Sequence, residues 1–263
     1  MRLLALSGVA GCGKDTVYRF LASLCRETVL MKFAYPLQDI VALIGEFYDS
    51  WGGHRVWFED REWKQYHRIE LGEIRQKEEK RQRLFAQITN LICGQELEGD
   101  YSQGRLGLVN RVLSGDEIYL ALMRWFSVCL PEDSYSPREV QKRLGSDLFR
   151  NHLDKNIWIG WVERELRKIS GDKLVVITDL RFPNEVQLVR RWKGRLLYLE
   201  SSRAWQEAEE AGLLKHDSEA HYDLIRKEAN LVYVNDGSLN DLLAFVARTY
   251  SEWFVLASTQ VQN

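Results

Sequence analysis

A glycine-rich segment near the start of the chain has the composition of a loop that binds phosphate groups. It covers residues 8–16, and a lysine follows its third glycine directly. Glycine lets the backbone curl so that several N–H groups point at one anion, and a helix N-terminus adds positive potential there. The lysine can reach the outer phosphates of a nucleoside triphosphate. The residues predicted to bind such a group are Gly8, Gly11, Cys12, Gly13, Lys14, Asp15 and Thr16.

The residue after the lysine departs from the common form of this loop. The usual pattern has Ser or Thr there, as a ligand for magnesium, whereas this chain has Asp15 followed by Thr16. We therefore expect Asp15, Thr16 and the more distant Asp179 to hold Mg²⁺, directly or through water. The alternative is a glycine-rich turn that only resembles a phosphate loop.

A second group of polar residues follows the apolar run at residues 174–178. Asp179 comes directly after it, then Arg181 and Glu185. A carboxylate at the carboxyl end of a parallel strand faces the ligand crevice, and arginine suits phosphate recognition. Asp179 is therefore a candidate catalytic residue, and Arg181 and Glu185 are candidate substrate residues. The alternative is a turn with a solvated ion pair.

Polar and cationic side chains also recur at helical spacing before Asp179. Two stripes follow this spacing: Arg138, Gln141 and Gly145, and then Arg150, Asp154 and Trp158. Taken alone, they favour a surface ion pair beside a core tryptophan. The excess of cations in this region instead indicates a second anionic substrate. We therefore predict a substrate site at Arg138, Gln141, Arg150, Asp154 and Trp158, in which Arg150 also serves catalysis.

The elements that must position these residues alternate between strand and helix. Five apolar runs predict strands: residues 3–6, 29–33, 174–178, 196–199 and 231–234. Most are continuous rather than alternating, which is typical of parallel strands buried on both faces. Helix starts are indicated at Ser136, which precedes Pro137 and Glu139, and at Ser238. Helical spacing extends over residues 158–169 and 183–193. This alternation predicts an α/β fold.

The pattern changes between residues 45 and 131. No strand is predicted there, and residues 60–83 carry charges of both signs, which favours a solvated amphipathic helix. We interpret residues 48–132 as a mainly helical insertion or lid in a core formed by residues 1–47 and 133–250. Residues 251–263 form a tail, in which Trp253 and Phe254 are expected to dock on the core.

Composition excludes several classes of protein. The chain has 263 residues, ordinary globular hydrophobicity and a formal net charge of −2, so it is neither disordered nor a bulk-charge coat for nucleic acid. Its four cysteines form no C-x-x-C pair, which favours a reducing cytoplasm over a zinc or disulfide framework. No apolar run approaches the length of a membrane span. The first apolar run leads into the glycine loop and Lys14, as expected of a buried strand rather than a signal sequence.

Taken in order, these motifs resemble the phage-type deoxynucleoside monophosphate kinases, a branch of the P-loop nucleoside monophosphate kinases. The resemblance covers residues 1–47 and about 136–248. It rests on the glycine loop, residues 33–37, residues 138–158, Asp179 with Arg181 and Glu185, His216 with Ser218 and Glu219, and residues 235–238.

The resemblance implies a P-loop NTPase three-layer fold with a five-stranded parallel sheet and a mobile lid. It implies ATP as the phosphate donor and a deoxynucleoside 5′-monophosphate as the acceptor. Asn235 and Gly237 would lie beside the adenine of ATP, and Arg138, Arg150 and Arg181 are candidates for the acceptor phosphate. Trp158 would pack near the acceptor base. We expect small nucleotides as partners, without a nucleic acid polymer or membrane, and a monomer or homodimer in the cytoplasm of a phage host.

Two other functions fit parts of the sequence. A P-loop kinase for another small phosphate, such as phosphomevalonate, shares a Gly-Lys-Asp-Thr loop. A nucleotide-dependent switch would also need the loop, but GTP switches normally carry an Asn-Lys-x-Asp motif, which this chain lacks.

Overall fold

The structure is a computed structural model that describes residues 1–47, 54–94, 104–212 and 221–256. The chain divides into two compact units. The first contains Met1–Lys32 and Leu166–Asn263, and the second contains Phe33–Glu165. The segment predicted as an insertion, residues 48–132, falls inside the second unit, together with the predicted substrate stripes. No helix in the described ranges has both the length and the apolar character needed to cross a membrane.

The strands of the described residues are short outside the first unit. In chain order they are β1 (Arg2–Ser7), β2 (Thr28–Met31), β3 (Ile69–Glu70), β4 (Arg105–Gly107), β5 (Val112–Ser114), β6 (Ser134–Tyr135), β7 (Leu174–Ile177), β8 (Arg195–Glu200) and β9 (Leu231–Val234).

Helices make up most of the remaining structure. In chain order they are α1 (Lys14–Leu24), α2 (Tyr35–Ile44), α3 (His54–Trp57), α4 (Arg61–Tyr66), α5 (Gly72–Gln76), α6 (Glu78–Cys93), α7 (Gly115–Cys129), α8 (Pro137–Lys142), α9 (Ile157–Lys168), α10 (Pro183–Arg191), α11 (Ser202–Glu210), α12 (Tyr222–Glu228) and α13 (Leu239–Tyr250). Two π-helical segments, Arg143–Leu153 and Ser251–Leu256, continue α8 and α13.

The first unit is built on a parallel sheet with the strand order β2-β7-β1-β8-β9. All of its pairings are parallel, and Ala5 in the central strand lies opposite Ile177 on one side and Leu196 on the other. Every residue of β7 is buried, as are five of the six residues of β1. Burial on both faces explains the continuous apolar runs in the sequence. The predicted α/β fold with a five-stranded parallel sheet is confirmed.

The ends of the predicted elements shift by a few residues. The second strand stops at Met31 rather than residue 33, and α2 begins at Tyr35 with Pro36 in its first turn. Ser238 caps α13 as predicted: its hydroxyl accepts from the Asp241 N–H, and the Asp241 carboxylate accepts from the Ser238 N–H.

The segment after α13 docks on the first unit. Phe254 is buried, and its ring lies 5.9 Å from that of Tyr250. Arg2 donates to the Phe254 carbonyl at 3.4 Å, which ties this segment to the start of β1. The predicted docking of Phe254 is confirmed, and residues 257–263 lie outside the described part.

The second unit is mainly helical, but it contains short antiparallel pairs. Strand β3 pairs with β6, and β4 pairs with β5. The prediction that residues 45–131 contain no strand is therefore wrong, because pairings of two or three residues are too short to leave a recognisable alternation. The single helix expected over residues 60–83 is also wrong. This stretch forms α4, β3, α5 and part of α6, and Lys77 has an extended backbone between the last two.

The start of α8 agrees with the sequence, but its continuation does not. Ser136 and Glu139 form the predicted capping box. The chain then widens into a π-helix, whose hydrogen bonds span five residues instead of four. Arg150, Asp154 and Trp158 therefore do not form a stripe on one helix. Asp154 ends the π-helix with an extended backbone, and Trp158 belongs to α9.

Candidate active site

The glycine loop joins the central strand β1 to α1, as the sequence predicts. Its glycines have positive φ angles: 129° at Gly8, 88° at Gly11 and 107° at Gly13. Side chains rarely tolerate this region of backbone conformation. At Gly8 a Cβ would also lie 2.2 Å from the Leu199 carbonyl oxygen, so no other residue fits there. The result is a curled backbone directly in front of a helix N-terminus, which is the arrangement that suits an anion.

Lys14 folds back over this loop. Its Nζ donates to the carbonyl oxygens of Gly8 and Val9, each at 2.7 Å, and it lies 3.4 Å from the Cys12 sulfur. Burial lowers the pKa of the Lys14 amine below that of an ordinary lysine, an effect that Cys12 opposes and the Arg181 guanidinium reinforces. Asp15 and Thr16 occupy the first turn of α1. An anionic ligand would therefore offer this amine better partners than neutral carbonyls.

The loop after β7 lies at the same edge of the sheet, because β7 and β1 are parallel neighbours. It contains Asp179 and Arg181, both partly exposed. The buried Ser7 hydroxyl, at the end of β1, donates to the Leu180 carbonyl at 2.8 Å. This bond ties the loop after β7 to the strand that carries the glycine loop. Sequence analysis missed Ser7, although a polar residue that ends a buried apolar strand was the available signal.

Glu185 stabilises the backbone of the same loop through hydrogen bonds. Its carboxylate accepts from the N–H groups of Arg181 at 2.7 Å and Phe182 at 3.0 Å, and the residue is 2% exposed. These bonds cap α10 and fix the backbone on which Arg181 is carried. The contact between Glu185 and substrate stays a prediction.

The loop after β9 contacts the glycine loop directly. The Asn235 side chain donates to the Cys12 carbonyl at 3.0 Å, and its backbone N–H donates to the Glu200 carbonyl at 2.7 Å. The next residue, Asp236, accepts from the Ser202 N–H and hydroxyl, which lowers the pKa of its carboxyl group. Gly237 follows and is exposed. The structure thus brings together, in the first unit, the loops that follow β1, β7 and β9.

The predicted substrate residues other than Arg181 and Glu185 belong to the second unit. Arg138 is exposed on α8, Gln141 is partly exposed, and Arg150 is half-buried in the π-helix. Asp154 accepts from the Asn156 N–H at 2.7 Å and pairs with Arg111 at 3.4 Å. Asp154 therefore anchors the turn into α9.

Trp158 is a core residue of the second unit. It is 5% exposed, its ring meets that of Phe149 edge to face, and its Nε1 donates to the Gly145 carbonyl at 3.3 Å. A buried indole whose N–H already has a partner is held in one orientation. Its packing near an acceptor base stays a prediction.

An ion pair between a buried carboxylate and a partly exposed arginine in the second unit was not predicted. Arg55 donates to Asp39 through Nε at 3.1 Å and Nη2 at 2.9 Å, and its guanidinium lies 4.6 Å from the centre of the Tyr35 ring. Asp39 is 7% exposed in the mainly apolar helix α2, and a carboxylate among apolar residues was the available sequence signal. The His216, Ser218 and Glu219 motif lies outside the described residues, and the described ones contain no group of three or more His, Cys, Asp or Glu that could hold a metal.

Comparisons with known proteins point to one family of kinases. The model of the deoxynucleotide monophosphate kinase family matches residues 2–246. A deoxynucleoside-5′-monophosphate kinase of Escherichia phage T5 is 28% identical over 198 residues, covering 72% of this chain and 71% of the relative. A deoxynucleotide monophosphate kinase of Enterobacteria phage T4 is 26% identical, covering 95% and 98% of the two chains. One from Escherichia phage RB69 is 24% identical, covering 94% and 99%.

These matches extend over both units, and the family match begins in the strand that leads into the glycine loop and continues into α13. The residues that the sequence assigned to the donor site therefore lie within the matched region. With nearly the whole chain included, the protein belongs to the deoxynucleotide monophosphate kinase family, whose members are phosphotransferases.

Proposed function

We propose that this protein transfers the γ-phosphoryl group of ATP to a deoxynucleoside 5′-monophosphate, giving ADP and a deoxynucleoside diphosphate. The observation that carries this proposal is the glycine loop with Lys14, between β1 and α1, in a chain of the deoxynucleotide monophosphate kinase family. Phosphoryl transfer needs in-line placement of the reactants and compensation of negative charge rather than covalent participation by the protein.

The donor half of the reaction is assigned to the first unit. Backbone N–H groups of Gly11, Cys12 and Gly13 bind the β- and γ-phosphates, and Lys14 exchanges its carbonyl partners for phosphate oxygens. A fixed cation and fixed N–H dipoles stabilise the charge that develops during transfer without reorganisation. Asn235 and Gly237, in the loop after β9, are assigned to the adenine side because the resemblance implies it.

The acceptor half is assigned to the cations and to the residues around them. Arg138, Arg150 and Arg181 bind the acceptor phosphate, because guanidinium groups match its oxygens in bidentate fashion. An acceptor oxygen attacks the γ-phosphorus while the bond to the β–γ bridging oxygen breaks, and ADP leaves with that electron pair. The attacking oxygen is already anionic at neutral pH, so Asp179 need not remove a proton. Two anions repel, so its carboxylate would orient this oxygen through a bridging water rather than by direct contact.

Four further residues are proposed to contact the acceptor without binding its phosphate as the arginines do. They are Gln141, Asp154, Trp158 and Glu185. Water is a competing acceptor, and we propose that the mainly helical residues 48–132 exclude it during transfer.

The first unit also offers a suitable donor set for magnesium. Asp15 and Thr16 lie in the first turn of α1, and Asp179 follows β7 at the same edge of the sheet. These are hard oxygen donors, few in number, which fits an ion that keeps several waters and binds mainly through phosphates. When bound with ATP, Mg²⁺ would offset the charge of the β- and γ-phosphates.

The relatives support a proposed setting for this activity. Their names identify them as phage proteins. We propose that the chain acts in the cytoplasm of an infected host, where it takes small nucleotides as ligands and supplies deoxynucleoside diphosphates. A monomer or a homodimer is compatible with this role.

The test is an assay of ADP release with ATP and every deoxy- and ribonucleoside monophosphate in turn. We expect rapid ADP release only when a deoxynucleoside monophosphate is present. Phosphomevalonate is included as an acceptor to test the alternative that the protein is a kinase for another small phosphate. Slow ATP hydrolysis that no acceptor accelerates would indicate a nucleotide-dependent switch and contradict the proposal.

A further inference from the structure

We infer that Asn235 is a positioning residue that sets the orientation of the glycine loop, a role that rests on the proposed use of ATP. The resemblance places Asn235 beside adenine. The hydrogen bonds of this chain point to a second role, directed at the phosphates.

Two hydrogen bonds hold Asn235 between the sheet and the loop. Its backbone N–H donates to the Glu200 carbonyl at 2.7 Å, directly after the last residue of β9, so the backbone is fixed to the end of β8. From this fixed point its side-chain Nδ2 donates to the Cys12 carbonyl at 3.0 Å. The side chain thus connects the edge of the sheet to the loop, which Lys14 and the Cys12 N–H also hold through bonds to the Gly8 and Val9 carbonyls.

The hydrogen bond from Asn235 fixes the direction of the Cys12 carbonyl, and through it the direction of the Gly13 N–H. The Cys12 carbonyl and the Gly13 N–H belong to one peptide unit, and no peptide bond in the described structure is cis. In a planar trans peptide these two groups point in opposite directions. When Asn235 holds the Cys12 carbonyl on its own side, the Gly13 N–H is directed away from Asn235. That leaves it available to an anion in front of α1, where Gly13 is the N-cap residue.

The third glycine of the loop is fitted to this bond. Gly13 has a φ of 107°, and a Cβ at this position would lie 2.8 Å from Asn235 Nδ2. A side chain there would strain the backbone and also displace the amide from the Cys12 carbonyl. Glycine at position 13 is therefore required by its backbone conformation, and it also leaves room for the Asn235 hydrogen bond.

The experiment compares ligands with and without a base. Binding of ATP and of inorganic tripolyphosphate is measured by calorimetry, without acceptor, for the wild type, Asn235→Ala and Asn235→Asp. The aspartate keeps the size and the backbone bond but replaces the donor by an acceptor that repels the Cys12 carbonyl. The control is Asn230→Ala at the opposite end of β9, where the Asn230 side chain accepts from the Leu196 N–H at 2.8 Å.

We expect Asn235→Ala to weaken the binding of ATP and of tripolyphosphate by the same factor, about tenfold, as for one lost hydrogen bond. Asn235→Asp should weaken both ligands at least as much, because its carboxylate also repels the Cys12 carbonyl. The Asn230 variant should bind both ligands as the wild type does, and the acceptor KM of Asn235→Asp should not change. Weakening of ATP alone would assign Asn235 to adenine and overturn the inference. Unchanged binding in Asn235→Asp, or equal losses in Asn230→Ala, would also overturn it, as would a wild type that does not bind tripolyphosphate. The proposed transfer fails independently, if ATP binds but no acceptor is phosphorylated.

Discussion

The amine nitrogen of Lys14 lies 2.7 Å from the carbonyl oxygen of Gly8, so the lysine closes the loop at whose end it stands. In this contact a charged donor bonds to a neutral acceptor. Phosphate oxygens would replace this acceptor and form stronger hydrogen bonds with the amine, because they are charged as well. The contact also means that Lys14 holds the loop in shape through its charged amine.

Replacing Lys14 by Met should abolish most of the activity and leave the fold intact. The apolar packing of β1 and α1 does not involve the amine, whereas transfer loses a preorganised cation. We expect turnover to fall about a thousandfold or more. Turnover and thermal unfolding by circular dichroism are measured together. The matched control is Lys173→Met at the start of β7, whose partly exposed amine lies 4.0 Å from Glu27. Near-normal turnover in folded Lys14→Met would remove the phosphate-loop assignment.

The affinity for ATP should fall as pH rises, and this fall should begin at a lower pH than at a site with an ordinary lysine. Burial lowers the pKa of Lys14, so the free protein loses this charge at a lower pH than a solvated lysine does. Bound phosphates favour the charged amine and raise its pKa again. Affinity is therefore complete below the pKa of the free protein and declines as pH rises through it. Calorimetry between pH 7 and pH 10 measures this decline. Lys14→Arg, which stays charged, should show a flatter profile, and identical profiles would contradict the assignment.

Replacing Asp179 by Asn tests the carboxylate at the end of β7. The substitution keeps the size and removes the charge, so we expect at least a hundredfold loss of turnover and a higher magnesium concentration for half-maximal rate. Asp15→Ser should be milder, because a hydroxyl restores the common ligand at that place. Asp172→Asn, at the other end of the same strand, is the control, since its carboxylate is exposed and pairs with Arg2. An unchanged rate and magnesium dependence in Asp179→Asn would make Asp179 structural and move attention to Glu185.

Arg150→Ala should separate the two substrates. We expect a raised KM for the monophosphate with little change in ATP affinity, because ATP is held by the glycine loop and Lys14. Arg138→Ala and Arg181→Ala are measured in parallel. Arg124→Ala is the control: Arg124 is exposed on α7 and stacks on Trp125 with 5.0 Å between guanidinium carbon and ring centre. If ATP binding without acceptor collapses in Arg150→Ala, this arginine serves the donor or the fold.

Ser136→Ala should destabilise the second unit without touching the phosphate loop. It removes the hydroxyl half of a capping box, which costs about 1 kcal/mol in the free energy of unfolding. The backbone N–H and the hydroxyl of Ser136 both donate to the Glu139 carboxylate and lower its pKa, and Ser136→Ala removes only the hydroxyl part. That part is present above the ordinary glutamate range and is lost as pH falls through the lowered pKa. Urea unfolding at neutral and acidic pH measures both effects. A difference between wild type and variant that does not shrink in acid would contradict this account.

Local features of the sequence were predictable because their causes are local. Ser136 and Ser238 cap helices through bonds to residues three positions away, and a capping box can be recognised without a fold. The three glycines before Lys14 indicate a curled backbone for the same reason. Short strands such as β4 escaped prediction because three residues carry too little pattern, and the π-helix after α8 escaped because its wider turn breaks the assumed spacing.

The sequence by itself determined the five strands of the parallel sheet, the phosphate loop and the family to which the chain is similar. Each of these depends on residue types at short spacing, where hydrophobic periodicity and backbone preference act directly. Only the tertiary structure decided that Asn235 holds the Cys12 carbonyl, across 223 positions of the chain, and that Ser7 holds Leu180, across 173. Such bonds depend on how parallel strands align in register, and that alignment is fixed by the packing of the whole sheet.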